Sequence, residues 1–121
     1  MHYMLLIHDV EADWGRLSED ERNGFMQEYF DFTNELRESG AYVTASQLQP
    51  TSTAVTVQVQ DGETLTTDGP FAETKEQLGG YYLIDVESQD EAIEWAAKIP
   101  SARFGKVEVR PLVVREAAVE A

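Results

Sequence analysis

There is no cysteine in this sequence, so disulfides, thiolate metal sites and cysteine nucleophiles are excluded together. Basic residues are scarce: nine Lys and Arg stand against 23 Asp and Glu, giving a formal net charge of −14. An acidic surface of that size repels phosphate backbones and anionic lipid, which argues against direct nucleic-acid or membrane binding. Only two histidines are present and neither has helical His-Glu spacing, so no metal site is expected and no cofactor is implied. No apolar run approaches the roughly 20 residues of a membrane span, and Tyr3 to Ile7 lacks the basic start of a signal peptide. A cytoplasmic location is the expectation. No Gly-rich phosphate loop precedes a helix and no serine sits in a nucleophile elbow.

What is present is one core's worth of apolar material. The 121 residues are 42% hydrophobic and include 5 Phe, 5 Tyr and 2 Trp, enough for a single domain, expected over residues 1–115 with a frayed acidic tail at 116–121. Tyr3-Met4-Leu5-Leu6-Ile7 reads as a strand closed by His8, with Tyr3, Leu5 and Ile7 on one face. A polar loop with Asp13, Trp14 and Gly15 follows. Ser18-Glu19-Asp20-Glu21 has the form of a capping box and predicts a helix from about Glu19 to Ser39, ended by Gly40. Its apolar face is Phe25, Tyr29, Phe32 and Leu36, flanked by Met26, Phe30 and Thr33.

Ala41 to Leu48 forms a second expected strand. Val55, Val57 and Val59 then alternate with polar residues up to Asp61-Gly62, the signal for a tight hairpin returning through Glu63 to Thr67. Gly69-Pro70 interrupts the chain, and Gly79-Gly80 opens a further strand over Tyr81 to Val86. Ser88-Gln89-Asp90-Glu91 repeats the capping pattern ahead of a helix carrying Ala92, Ile93, Trp95, Ala96 and Ile99, stopped by Pro100. Lys106 to Val114 is the expected last strand. The order is strand, helix, strand, hairpin, strand, helix, strand. Right-handed crossovers close that order into one antiparallel sheet with both helices on one face, an α+β, ferredoxin-like βαβ(hairpin)βαβ protomer. Several strands are apolar on both faces, so the uncovered face calls for a partner, most economically a second copy paired sheet to sheet.

The stretch Thr67-Asp68-Gly69-Pro70-Phe71-Ala72-Glu73-Thr74-Lys75-Glu76-Gln77-Leu78-Gly79-Gly80-Tyr81-Tyr82 strongly resembles the signature segment of the bacterial DGPF proteins, part of the YCII-related family. Support comes from Tyr3 to Ile7, from Glu94-Trp95-Ala96-Ala97 and from Val107-Glu108-Val109-Arg110-Pro111-Leu112, so the resemblance covers nearly the whole chain. It implies a dimeric α+β barrel in which ferredoxin-like protomers pair through their sheets. It brings no established reaction. Family members are often encoded beside extracytoplasmic-function sigma factors, which implies a non-enzymatic sigma-factor partner as the alternative to a ligand-binding role. A histidine on the first helix and an aspartate before a proline after the second have been proposed as a catalytic pair in the broader family. This chain has no histidine in its first helix, and Ile99 precedes Pro100, so the pair is not carried over.

The leading expectation is a small organic molecule held beside the Asp68–Phe71 loop, with acid–base chemistry by His8 or Asp68. Phe71, Glu73, Lys75, Glu76 and Tyr82 supply ligand contacts: aromatic surface, charge, and one scarce cation for an anionic group. The structural alternative is that Gly69-Pro70 shapes a turn, Phe71 fills the core and the charges are solvated. His8 is the better of the two histidines for a general base, since His2 lies by the terminus, although His8 and Asp9 point to opposite faces of a strand. Trp95 is expected in the core. Trp14 either caps a pocket or packs at an edge.

Overall fold

A computed structural model describes residues 1–114 of the chain; the tail assigned above to 116–121 lies outside the described residues. The strands are β1 (His2–Asp9), β2 (Tyr42–Gln47), β3 (Val55–Gln60), β4 (Glu63–Asp68), β5 (Gln77–Asp85) and β6 (Lys106–Pro111). The helices are α1 (Glu11–Trp14), α2 (Glu19–Ser39) and α3 (Gln89–Lys98). Four strands form an antiparallel sheet in the order β2-β5-β1-β6, while β3 and β4 pair only with each other. That spatial order is the one a ferredoxin-like α+β arrangement produces, with the hairpin inserted between its halves.

Local chemistry explains the element ends. The Ser18 hydroxyl accepts from the Glu21 N–H while the Glu21 carboxylate accepts from the Ser18 N–H, a complete capping box. Gly40, at φ 84°, ends α2 in the left-handed conformation. Ser88 caps α3 through the Glu91 N–H, and Pro100 begins a short 3-10 turn directly after it. At the hairpin tip Asp61 and Gly62 both have positive φ, at 51° and 79°, the combination a two-residue type I′ turn requires. The last strand stops at Pro111 rather than Val114. Leu112 N–H still reaches the His2 carbonyl, but β1 begins at His2 and offers nothing for Val113 and Val114 to pair with.

The core lies between the sheet and the two long helices. Tyr3, Leu5 and Ile7 of β1, Tyr82 and Ile84 of β5, Phe32 and Leu36 of α2, and Ala92 and Ala96 of α3 are buried together. Phe32 makes edge contacts with both Tyr82 and Trp95, which places α2 and α3 on the same face. Register settles which residues point the other way: Met4 opposes Leu83, Leu6 opposes Tyr81 and Glu108, and these alternate with the buried set. That second face has no covering element among the described residues. Met26 and Phe30 lie at the edge of the α2 stripe and remain exposed.

Candidate functional site

Between the first half of α2 and the ends of β1, β2 and β5 the fold leaves a cleft of about 450 Å³. Ile7, Met26, Ala45 and Leu48 give it apolar walls, Trp14, Tyr29, Tyr42 and Tyr82 line it with rings, and Asp9 and Glu11 bring carboxylates. A β-bulge shapes this end of the sheet. The β1–β5 register slips between Ile7 and His8, so that Ile7 pairs with Gly80 but His8 with Leu78, and Gly79 is the extra residue. Without the slip, Leu78 would fall in phase with Gly80 and Tyr82. With it, Leu78 is 38% exposed and Gln77 instead turns its side-chain carbonyl to the Glu11 N–H at 2.9 Å.

Asp9 is the polar centre of the cleft. Its Oδ2 accepts from the Trp14 indole N–H at 3.2 Å and from the Ser101 hydroxyl at 3.4 Å. Ser101 is buried, and its Oγ lies 2.6 Å from the Tyr29 hydroxyl. Because a serine has one hydrogen and Ser101 gives it to Asp9, Tyr29 donates to Ser101, forming a directed chain Tyr29 to Ser101 to Asp9. Oδ1 of Asp9 accepts no hydrogen bond among the described residues. It stands beside Gly79, whose missing side chain keeps the space open: a Cβ there would come to 3.5 Å from Oδ1. Burial raises the Asp9 carboxyl above its usual value; the hydrogen bonds from Trp14 and Ser101 offset part of that rise, and the Glu11 and Glu76 charges add to it. Burial likewise pushes the Tyr29 phenol up to about 12.

The surrounding groups fix this geometry. Glu11 receives the Thr51 N–H and hydroxyl at 2.8 and 2.7 Å, tying α1 to the turn that follows β2. Thr33 of α2 and Tyr82 of β5 share a hydrogen bond of 2.6 Å across the cleft floor, and burial raises the Tyr82 phenol. Trp14 stacks edge-on against Phe25, with ring centroids 4.9 Å apart. Gly105 presses its backbone against the end of β1; a Cβ at this position would lie 3.0 Å from the Asp9 Cα and would overlap the His8 carbonyl oxygen.

Of the residues singled out from sequence, Tyr82 lines this cleft. His8 points to the open face, its Nε2 3.7 Å from the Glu108 carboxylate, as the alternation along β1 requires. Asp68 ends β4 opposite Val55 and does not join His8. Phe71 is 91% exposed rather than packed in the core, and Glu73 and Lys75 sit in the same exposed stretch. Glu76 is engaged with Lys106 at 2.6 Å. The loop's contribution to the cleft is its downstream half, Gly79 to Tyr82. Asp9, Tyr29 and Ser101 form a group that sequence inspection did not assemble: they are separated by 20 and 72 positions, and only the bulge and the Pro100 turn bring them together.

Among the described residues no group of three or more His, Cys, Asp or Glu is placed to hold a metal ion, and no helix is long and apolar enough to cross a membrane. The family model for the YCII-related domain matches residues 1–115. An uncharacterized protein of Rhizobium meliloti (strain 1021) is 39% identical over 116 residues, covering 94% of each chain. By both comparisons, this chain belongs to the YCII-related family.

Proposed function

We propose that the protein is a homodimer, paired through the open face of its sheet, that binds a small organic molecule in the cleft under α2 and presents Asp9 to it for proton transfer. The observation that carries the ligand-binding reading is the open Oδ1 of a half-buried carboxylate in a ring-lined cavity of about 450 Å³. A carboxyl that burial raises above its ordinary range holds a proton more readily than a solvated aspartate does, which suits it to acid–base exchange with a bound molecule. Asp9 thus takes the acid–base position expected of His8 or Asp68, while Tyr82 keeps its place in the ligand wall.

Support for the dimer comes from the uncovered face. Met4, Leu6, Tyr81 and Leu83 lie there side by side, only partly buried. Lys106 and Arg110 stand next to Glu108 on that face, so two copies meet there with little of the repulsion a chain of −14 imposes elsewhere.

The ligand reading is tested by native mass spectrometry of protein purified from cells, together with a thermal-shift screen of small neutral, cationic and anionic aromatics. The expected result is a retained or added small molecule that saturates in the wild type. Ala45→Trp, which fills the cleft from β2, abolishes it without unfolding the chain. No retained mass and no saturable shift from any charge class would overturn the reading.

A further inference from the structure

The geometry points to an organic cation, a protonated amine carried on an aromatic or apolar body, as the ligand class of this cleft. This rests on the ligand-binding reading above and adds the sign of the charge.

The lining holds two carboxylates, Asp9 and Glu11, and no Lys, Arg or His. Each Glu11 oxygen already accepts a hydrogen bond from Thr51, whereas the Asp9 Oδ1 accepts none among the described residues and is the less engaged acceptor for a ligand. A carboxylate or phosphate entering here meets two like charges and no cation of the lining; Arg37, behind the Tyr42 ring, acts on the Tyr82 phenol but is not part of the lining. A neutral molecule gains the apolar contacts but leaves Asp9 half-buried without a counter-ion. An ammonium group supplies what both lack: a charge-assisted hydrogen bond to Oδ1, and a positive charge for the faces of the surrounding rings. One of those rings already serves a cation in this way, since the Arg37 guanidinium, which is not part of the lining, sits 4.0 Å over the centre of Tyr42. The chain's net charge of −14 acts in the same direction by concentrating cations and repelling anions around the molecule.

The test uses two matched series at pH 7: 2-phenylethylamine, 2-phenylethanol and phenylacetate, and tryptamine, tryptophol and indole-3-acetate. Binding is followed by the amide NMR shifts of Gly79 and Gly80 in the full chain. In at least one series the amine is expected to bind tightest and the carboxylate weakest, with about tenfold or more between them, as a hydrogen bond between charged groups provides. Asp9→Asn should shrink that gap to about threefold or less. A carboxylate binding as well as its amine, or an amine preference that survives in Asp9→Asn, overturns the charge assignment and leaves the pocket standing. If none of the six compounds moves Gly79 or Gly80, the pocket reading fails and the charge assignment falls with it. Should Asp9→Asn not fold, the wild-type ranking decides.

Discussion

Two neighbouring residues of β5 give the sharpest test of how the protomers pair. Leu83 and Ile84 are both aliphatic and both central in the sheet, but they point in opposite directions: Ile84 is 0% exposed in the core, and Leu83 stands on the uncovered face in a row with Met4 and Arg110. Ile84→Asp removes an enclosed side chain and leaves a carboxylate without a partner, together costing about 5 kcal/mol or more. That is between a third and all of the roughly 5–15 kcal/mol that holds a domain folded, so the variant should be strongly destabilised. Leu83→Asp places its carboxylate at solvent in the isolated protomer and leaves the fold intact. In a two-fold interface, however, each substitution is made twice. Leu83 is already partly covered within the protomer, so the low estimate of about 1.5 kcal/mol per leucine applies, or about 3 kcal/mol per dimer and roughly a hundredfold in Kd. Repulsion between the two carboxylates adds to this. Light scattering coupled to gel filtration should show the wild type at twice 13.6 kDa and Leu83→Asp at 13.6 kDa with an unchanged circular dichroism spectrum. A wild type that runs as a monomer, or a Leu83→Asp protein whose dimer dissociates on dilution at the same concentration as the wild type, refutes pairing through this face.

The cleft yields further tests. Tyr29→Phe removes the donor to Ser101 and should cost about 1 kcal/mol in a denaturant titration. Tyr29 also carries an alkaline signature: its folded-state value of about 12 lies above the ordinary 10, so the unfolded chain loses this proton first and stability falls as pH rises from 10 to 12. Tyr29→Phe should flatten that limb and delete the latest tyrosinate step in the ultraviolet absorbance. Asp9 follows the same sign in acid, because its raised carboxyl holds a proton in the folded state after the unfolded one has released it. The thermal midpoint of Asp9→Asn relative to the wild type should therefore climb as pH is raised from the ordinary 3.8 through the folded value and then level off; a difference independent of pH would contradict the raised carboxyl. Gly105→Ala drives a methyl into the backbone of His8 and Asp9 and should cost about 3 kcal/mol. It should also shift the Trp14 fluorescence, and a variant as stable as the wild type with unchanged emission would show that the end of β1 is not held there.

The elements with strong local signals were legible in the sequence. The capping box at Ser18 and Gly40 bound α2 at Glu19–Ser39, and Asp61-Gly62 set the turn of the β3–β4 hairpin. The four residues of α1 are too few to show a helical period and read as loop. β5 begins at Gln77, ahead of the Gly79-Gly80 pair taken as its opening, because the bulge accommodates a residue that regular pairing would exclude. The site was harder. Asp9 was visible beside His8, but whether its carboxylate meets α2 depends on a register slip made by a strand some 70 positions later, and Ser101 reaches it only through the turn that Pro100 begins. Phe71 shows the reverse error: a large aromatic within a distinctive segment suggests a packed wall, yet the hairpin that leads to it forms no ladder with the main sheet, and the ring stays in solvent.

The central position of β1 bears on how the chain is made. The strand precedes both of its partners in the chain, and both ladders are with distant segments, Leu5 lying opposite Tyr82 on one side and Val109 on the other. At roughly 5–20 residues per second, the apolar run from Tyr3 to Ile7 waits about 5–20 s before β6 has been synthesised. During that interval α2 and the β3–β4 hairpin can form from local contacts alone, while β1 has no strand to pair with until β5 is made and keeps one edge open until β6 follows. The nascent chain is thus exposed to aggregation through β1 until β5 arrives, and the second edge of that strand stays open until β6 docks.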